Sequence, residues 1–378
     1  MNNKDVLDFE TELQAFMNDV NEQDLRLLID ELQKNHYPNV ISKAEKYRET
    51  YRDNPDLVHM LWKVSAISHA EIREYHLAKE IISKLYDDNA SSTLEDLVTL
   101  GQMAFMCDYK LARRIMSDAI KKTETMDDVS PEVVSGIYLI LGESEENLDK
   151  PKRALKYYKK GLESLDAQSE AEPYIKMFLA FKIGMLHTTL KEHDASLEYL
   201  KRSLTYADEK VPQLKANVLV SIGQIYGSLD RGEEGYPYLK EALQMLPNSD
   251  LENSYVHMEA LLETGYYHYR RGDYEKGVDV YDMAIQMYTA SHQTDPRKLG
   301  MMYMQYGYCL AHISSPDNKQ ASIYYEKAIS QLEKENDIEL LHSALTDVIA
   351  FFDQIGNKSK QQYYESKMLR LAEKANMS

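Results

Sequence analysis

The sequence has little or none of the features that mark several protein classes. Its 378 residues include two cysteines, Cys107 and Cys309, which lie far apart in apolar stretches. Two such residues supply neither a disulfide framework nor a cysteine-based zinc site. No stretch approaches the roughly 18 apolar residues of a membrane span, and the opening residues MNNKDVLDFETELQ show no basic segment followed by an apolar one. These absences predict a cytoplasmic chain with no membrane partner.

Positive charge is also scarce. Lysine and arginine number 44 against 62 aspartates and glutamates, which gives a formal net charge of −18. Binding to a phosphate backbone requires clustered basic residues, so this balance predicts no direct nucleic-acid partner. Hydrophobic residues make up 43% of the chain, enough to build a core rather than remain disordered.

The common motifs of catalysis and metal binding are missing as well. The eleven histidines are scattered without an H-E-x-x-H pair, and there is no glycine-rich phosphate loop or G-x-S-x-G elbow. A zinc site needs three or four convergent ligands, which this scatter does not suggest. The sequence therefore predicts a protein that is not an enzyme and uses no metal and no cofactor.

What the chain does contain is a recurring set of small residues. Gly265 is followed after twelve residues by Gly277, and then by Tyr281 and Ala284. Two antiparallel helices approach closely only where side chains are small, so this set predicts a helical hairpin that stacks on its neighbours. The same offsets recur from six other starting residues: Ala66, Leu100, Gly142, Gly184, Gly223 and Gly307. The repeat that starts at Gly307 has two extra residues in its turn.

This pattern resembles the tetratricopeptide repeat, a helical hairpin motif of roughly 34 residues. Residues 223–247, GQIYGSLDRGEEGYPYLKEALQMLP, follow the register of the motif, and Trp62 stands at the tryptophan position of its own repeat. The resemblance covers roughly residues 57–330. It implies an all-α fold, a right-handed superhelical solenoid of about nine antiparallel hairpins.

The same resemblance suggests a division of the chain. Residues 1–56 would form N-terminal helices and a degenerate first repeat, 57–335 the array, and 336–378 a degenerate last repeat with a capping helix. Most repeats are longer than the roughly 34 residues that are usual for this motif. Long repeats of this kind resemble kinesin light chain and related scaffolds, and also the Rap-like bacterial receptors of short signalling peptides. The acidic residues 1–56 show no DNA-reading helix-turn-helix, which several receptors of that wider group carry.

The tripeptide Arg271-Gly272-Asp273 is predicted to be a turn rather than an adhesion signal. It falls between the two helices of one hairpin. Gly272 would supply a left-handed or tight backbone there, and Asp273 would cap the helix that follows.

The resemblance also implies a binding groove, lined by one face of the first helix of each repeat. Tyrosine and methionine offer large, adaptable contact areas, and the amides of Asn217 and Gln224 could pair with a peptide backbone. The alternative is that these side chains only pack against neighbouring helices, an interpretation favoured for Tyr274, Tyr281 and Tyr325. The candidate groove residues are Phe178, Phe181, Met185, Asn217, Val220, Gln224, Glu259, Leu262, Tyr266, Tyr269, Arg270, Met301, Met304 and Tyr308.

Two functional hypotheses remain open from the sequence. The first is a module that binds a peptide or an extended protein segment in its groove, in its sharpest form a bacterial regulatory peptide receptor. The second is a scaffold or adaptor that assembles a protein complex without switching. Both expect a protein or peptide partner, and both leave homo-oligomerisation open.

Overall fold

The fold is built from α-helices. The computed structural model describes residues 9–377 apart from 89–92, 167–172, 208–210, 248, 292–294 and 336. These residues contain nineteen helices and no strand, which confirms the all-α class. The chain divides into two compact units, Met1–Tyr206 and Ala207–Ser378. The threefold division at residues 56 and 335 stays a prediction.

Unit 1 runs from a short first helix to the second helix of its last hairpin. Its described helices are α1 (Phe9–Ala15), α2 (Glu22–Gln33), α3 (Tyr37–Thr50), α4 (Pro55–Glu71), α5 (Tyr75–Asp88), α6 (Leu94–Phe105), α7 (Tyr109–Thr123), α8 (Pro131–Asn147), α9 (Pro151–Asp166), α10 (Pro173–Thr189) and α11 (His193–Thr205). From α2 onward consecutive helices pair as hairpins, and each hairpin packs on the next one along the chain.

Unit 2 repeats this organisation. Its described helices are α12 (Pro212–Ser228), α13 (Gly232–Met245), α14 (Tyr255–Arg271), α15 (Tyr274–Ala290), α16 (Pro296–His312), α17 (Asn318–Leu332), α18 (Ile338–Gln354) and α19 (Lys358–Met377). The pairs α12–α13, α14–α15, α16–α17 and α18–α19 are hairpins. With five hairpins in unit 1, the described residues hold nine, as the sequence predicts. Most first helices are 17 residues long, which contributes to the long repeats.

Local sequence explains where many first helices begin. Proline stands at the first position of α4, α8, α9, α10, α12 and α16. Its fixed φ suits a first helical turn, and its missing N–H would have no intrahelical partner there. The preceding residue often caps the helix: the Asn54 side chain accepts from the Leu57 N–H at 3.1 Å, and that of Asp295 accepts from the Arg297 N–H at 2.8 Å.

The glycines of the first helices allow the two helices of a hairpin to touch. A Cβ on Gly184 would lie 2.7 Å from Leu200 Cγ, and one on Gly265 would lie 2.9 Å from the Tyr281 ring. Real Cβ atoms do not approach other atoms so closely, so these positions accept no larger residue without movement. Gly142 and Gly223 meet Tyr158 and Leu239 in the same way, whereas a Cβ on Gly307 would lie 3.4 Å from the Tyr325 ring and needs no comparable movement. The close approach predicted from the spacing is confirmed.

The turn between the two helices of a hairpin uses one left-handed residue at a fixed place. Gly272 has φ 82°, so the tripeptide that contains it forms the predicted turn. In four other hairpins the same place, seven residues after the small position, holds a residue with a side chain, for which positive φ is sterically unfavourable. These residues are Arg73, Asp149, Lys191 and Asp230, with φ from 56° to 65°.

A histidine and a carboxylate close three of these turns. His187 Nδ1 lies 2.5 Å from Glu192 Oε2, and His69 Nδ1 lies 2.7 Å from Glu74 Oε2. His268 and Asp273 stand at the same offset, but their nearest N and O atoms are 3.5 Å apart. These histidines therefore serve hairpin structure.

Two details of the predicted hairpins are wrong. Met116 packs on Gly101, where a Cβ would lie 2.6 Å from Met116 Cε, so the small position of that hairpin is Gly101 and not Leu100. The turn there is correspondingly shorter, and Asp108 caps α7 directly by accepting from the Leu111 N–H at 2.8 Å. Asp273 stands at the N-cap of α15, but its side chain pairs with His268 and Arg271 and accepts no cap hydrogen bond.

Candidate functional site

The candidate groove residues lie on first helices, as expected, in both units. In unit 1, Phe178 and Phe181 are half-buried on α10, and Met185 is exposed one turn further along. Tyr174 extends this stripe, since its ring stacks on Phe178 with centroids 6.2 Å apart. Lys182 borders the stripe and reaches Glu146 of α8, with Nζ 2.8 Å from Oε2.

In unit 2, three first helices enclose a cavity of about 420 Å³. Its walls come from α12, α14 and α16, so it spans three successive repeats. Four predicted residues share this cavity: Gln224, Leu262, Tyr266 and Met301. Gly227 and Ser228 of α12 also line it. The other lining residues escaped prediction: Glu263, Asp295, Arg297, Lys298, Met302 and Gln305. We call this space the unit 2 groove.

A polar network crosses one wall of the unit 2 groove. Glu259 is buried, and it accepts from Gln224 Nε2 at 3.1 Å and from the ammonium of Lys298. Lys298 comes from α16 and Gln224 from α12, so this single carboxylate ties the three helices together. A buried ion pair of this kind needs such additional hydrogen bonds to satisfy its remaining lone pairs.

Glu263, one turn after Glu259, is the exceptional carboxyl of the groove. Burial raises its pKa to about 7, and the negative charge of Glu259 adds to the effect, while Gln224 and Lys298 oppose it. No cation lies within ion-pair distance of Glu263 among the described residues. Its side chain lies beside Gly227 on α12, where a Cβ would be 3.8 Å from Glu263 Oε2. A carboxyl that ionises near neutrality can accept a proton or a cationic group from a ligand.

The predicted tyrosines form one aromatic cluster on α14 to α16. Tyr269 packs edge-to-face on Tyr308 with centroids 5.3 Å apart, and Tyr308 stacks on His312 at 3.9 Å. Tyr274 joins the same cluster against Tyr308 at 5.7 Å. Tyr266 stacks on Tyr269 at 6.3 Å and also lines the unit 2 groove, so it links the cluster to the cavity.

The remaining candidates have other surroundings. Val220 and Met304 are buried, with 4% and 9% exposure, so they contribute packing beneath the groove face. Asn217 is half-buried on α12. Arg270 is exposed and pairs with Asp230, with Nη2 2.6 Å from Oδ1.

Sequence reasoning missed Glu263 although a signal was present. Glu259 and Glu263 are four residues apart, so they share a helix face, and Gly227 lies opposite on α12. What the pattern does not reveal is that Lys298 neutralises one of the two carboxylates and leaves the other without a cation.

The described residues contain no group of three or more histidine, cysteine or acidic side chains arranged to hold a metal ion. None of their helices combines the length and the apolar character that crossing a membrane requires.

Comparison with known proteins agrees with this architecture. The family model described as tetratricopeptide repeat matches residues 179–210, which include most of α10 and all of α11. Together with the nine hairpins and their glycine contacts, this match decides the fold. The chain has the tetratricopeptide-repeat fold. No curated protein sequence matches it significantly.

Solved structures extend the likeness over most of the chain. The apo form of RapI superposes with a TM-score of 0.61 at 14% identity, over 95% of this chain and 99% of that one. The apo form of the quorum sensor NprR from B. thuringiensis gives a TM-score of 0.53 at 14% identity, over 94% of this chain and 100% of the other. At such low identity the likeness shows a shared fold, consistent with the Rap-like resemblance of the sequence.

Proposed function

We propose that this protein binds a peptide or an extended segment of another protein in the unit 2 groove. The observation that carries the proposal is the cavity of about 420 Å³ whose walls come from three successive first helices. A cleft of this size, with apolar walls and a few convergent polar groups, is a common form of ligand site. We propose a binding role without catalysis.

The charges of the groove indicate what the ligand carries. Lys298 is engaged by Glu259, and Arg297 Nη1 lies 2.5 Å from Asp337 Oδ2, so both cations of the wall already have partners. Glu263 has no cation within ion-pair distance among the described residues. A lysine, an arginine or a free amino terminus placed there would lower the pKa of Glu263 and form an ion pair with little competition from water. The groove therefore favours a ligand with one cationic group.

The rest of the groove suits the apolar side chains of such a ligand. Leu262, Tyr266 and Met301 supply one aromatic and two aliphatic surfaces. Their side chains offer contact area with few fixed hydrogen-bonding demands, which is how flexible recognition surfaces tolerate varied sequences. The amide of Gln224, held by Glu259, supplies a defined polar contact beside them.

In its finer form, the proposal is a cytoplasmic receptor for a regulatory peptide. NprR is described as a quorum sensor, and we extend a signalling role of that kind to this chain. Ligand contacts to α12, α14 and α16 at once would fix their relative positions, and in a repeat array small shifts between neighbours add up.

A display experiment tests the proposal without a known ligand. A random seven-residue peptide library is selected on the immobilised full-length protein, and enriched peptides are sequenced. Enriched sequences are expected to share one lysine, arginine or free amino terminus beside apolar residues. Synthetic copies should raise the melting temperature in proportion to their concentration, as binding to the native state requires.

Two variants localise the effect. Glu263→Gln should lose the preference for the cationic residue, and Tyr266→Ala should weaken binding of all enriched peptides. The matched control is Asp279→Asn, which removes an exposed carboxylate from α15 on the second helix of a hairpin. Enrichment that is unchanged by Glu263→Gln and Tyr266→Ala would exclude the unit 2 groove. A protein that enriches no peptide but captures folded partners would favour the scaffold alternative.

A further inference from the structure

A second, larger cavity lies within unit 1, between α3, α4 and α5. It has a volume of about 740 Å³ and contains the only tryptophan of the chain, Trp62. Its apolar walls come from all three helices and include Ile41, Val58, Leu77, Ile81 and Leu85. None of the groove residues predicted from the sequence belongs to it. We call it the Trp62 cavity.

An arginine stacks on the tryptophan of this cavity. The guanidinium carbon of Arg48 lies 3.6 Å from the centre of the Trp62 ring, and Arg48 Nη1 donates to Ser65 Oγ at 2.6 Å. Burial lowers the pKa of Arg48, although two glutamates of α3 oppose this effect. The side chain is thus half-buried, fixed in orientation and still charged.

Arg48 has no carboxylate partner within ion-pair distance in the described part of the chain. Two cations on the following helices do have such partners. Lys63 on α4 meets Asp96 at 2.7 Å, and Lys79 on α5 meets Asp108 at 2.7 Å. A half-buried guanidinium without a counter-charge costs desolvation that an anionic ligand would recover.

The lining residues Arg48 and Trp62 bring free hydrogen-bond donors to the cavity. Arg48 has five N–H groups and uses one on Ser65. The indole N–H of Trp62 makes no hydrogen bond to any described residue, and an indole can only donate. Donors grouped beside apolar walls fit a ligand that presents acceptor oxygens next to an apolar body.

The rim of the cavity selects against highly charged anions. It carries exposed residues of both signs, with the carboxylates of Glu45, Glu80 and Asp88 against the cations Arg52 and Lys84. With Arg48 the lining holds three cations against three carboxylates, so it has no excess positive charge to bind a doubly charged phosphate. A single carboxylate fits the charge balance better.

We propose that the Trp62 cavity is a binding site for a carboxylate carried on an aromatic or large aliphatic body. The carboxylate pairs with Arg48 and the indole N–H, and the apolar body lies against Ile81 and Leu85. Two sources share this chemistry: a free aromatic acid, and the carboxyl terminus of a peptide that ends in a large apolar residue. The site is independent of the function proposed for unit 2.

The single tryptophan provides the probe. Protein labelled with 5-fluorotryptophan should give one ¹⁹F resonance, which is followed during titration with 3-phenylpropionate and with its neutral analogue 3-phenylpropionamide. A saturable shift is expected with the acid, with an affinity at least about tenfold above that of the amide. This comparison needs no variant, so it does not depend on any substitution being tolerated.

Variants and peptides then identify the partner group and the source. Arg48→Gln should reduce the affinity for the acid by about tenfold or more, whereas Arg114→Gln should not. Arg114 is the matched control, because it stacks on Tyr86 at 4.7 Å but already pairs with Asp87 at 3.0 Å. The source is a peptide terminus if acetyl-Ala-Ala-Ala-Ala-Phe binds more tightly than 3-phenylpropionate, whereas the C-terminal amide of the same peptide does not. The source is a free acid if 3-phenylpropionate binds more tightly than the peptide.

Equal affinity for the acid and the amide would overturn the proposal. So would an Arg48→Gln variant, with the melting temperature of the wild type, that keeps full affinity for the acid. Absence of any saturable shift up to millimolar concentrations of every probe would also exclude the site.

Discussion

Two hairpins, α10–α11 of unit 1 and α14–α15 of unit 2, share a framework of packing positions. They differ in the side chains that their first helices carry on the candidate groove face. Gly184 and Gly265 occupy the same place in each, and a residue sixteen positions later packs on them. In both a histidine follows three residues after the glycine and faces a carboxylate across the turn. The framework is therefore set by a few positions that repeat along the chain.

The candidate groove faces of the two hairpins are chemically unlike. The face of α10 carries the aromatic rings of Tyr174, Phe178 and Phe181. That of α14 carries two carboxyls, Glu259 and Glu263, beside its tyrosines. Because side chains on that face do not hold the hairpin together, their chemistry can vary without loss of the fold. Function in this chain should be sought on these faces and not in the repeating positions.

The largest effect is expected from adding one carbon to the framework. Gly184→Ala and Gly265→Ala place a Cβ within 2.7 to 2.9 Å of Leu200 or the Tyr281 ring, and Tyr281 is fully buried. Each change should lower the stability of its hairpin by about 3 kcal/mol, the upper end of the usual cost of overpacking. Native-state hydrogen exchange of the two helices measures this loss locally. Similar losses in both hairpins would show that the glycine has the same packing role in each. A loss in one hairpin only would show that the two frameworks are not equivalent.

Gly136 on α8 is the matched control for both changes. A Cβ there meets nothing within 4 Å. Alanine has the higher helix propensity, so Gly136→Ala should stabilise its helix by about 0.5–1 kcal/mol. A loss of stability in this variant would show that glycine to alanine is harmful for reasons other than the close contact.

The framework was predictable from sequence because it depends on spacing. Small residues at matched offsets indicate the hairpins, and Gly272 indicates its own turn. The misplacement at Leu100 arose because that turn is one residue shorter, which a fixed offset cannot detect. The sites were harder to predict because their properties arise between helices. Glu263 is unusual only because Lys298, from the next repeat, pairs with Glu259, and Arg48 matters only because it stacks on Trp62 of the next helix.

The second prediction concerns the carboxyl that distinguishes α14 from α10. The pKa of Glu263 is raised from 4.5 to about 7, so the native state holds a proton that the unfolded state releases. Its contribution to stability is therefore fully present below about pH 4.5 and is lost as the pH rises through about 7. Glu263→Gln removes this loss, because glutamine does not titrate. The free energy of unfolding of the variant relative to wild type should therefore rise by about 2–3 kcal/mol between pH 5 and pH 8, measured by urea unfolding.

Glu275 on α15 provides a control of opposite sign. Hydrogen bonds from Ser314 lower the pKa of this exposed carboxyl, so it favours the native state above its unfolded pKa. Glu275→Gln should therefore lose a small amount of stability relative to wild type as the pH rises from 3 to 6. If Glu263→Gln shows no change between pH 5 and pH 8, Glu263 is hydrated and the unit 2 groove lacks its distinctive carboxyl.

The smallest effect is expected at the turns, where the two hairpins place different residues in the same backbone conformation. Lys191 has φ 61° and Gly272 has φ 82°. A side chain at positive φ costs about 1 kcal/mol, so Lys191→Gly should stabilise its hairpin by about 0.5–1 kcal/mol and Gly272→Ala should destabilise its own by about the same amount. Lys191→Ala, which removes the charge but keeps a Cβ, should be nearly neutral.

Local hydrogen exchange again provides the measurement. Opposite shifts of similar size would mean that the glycine of Arg271-Gly272-Asp273 is explained by the turn alone, whereas a neutral Gly272→Ala would leave that glycine without a structural reason.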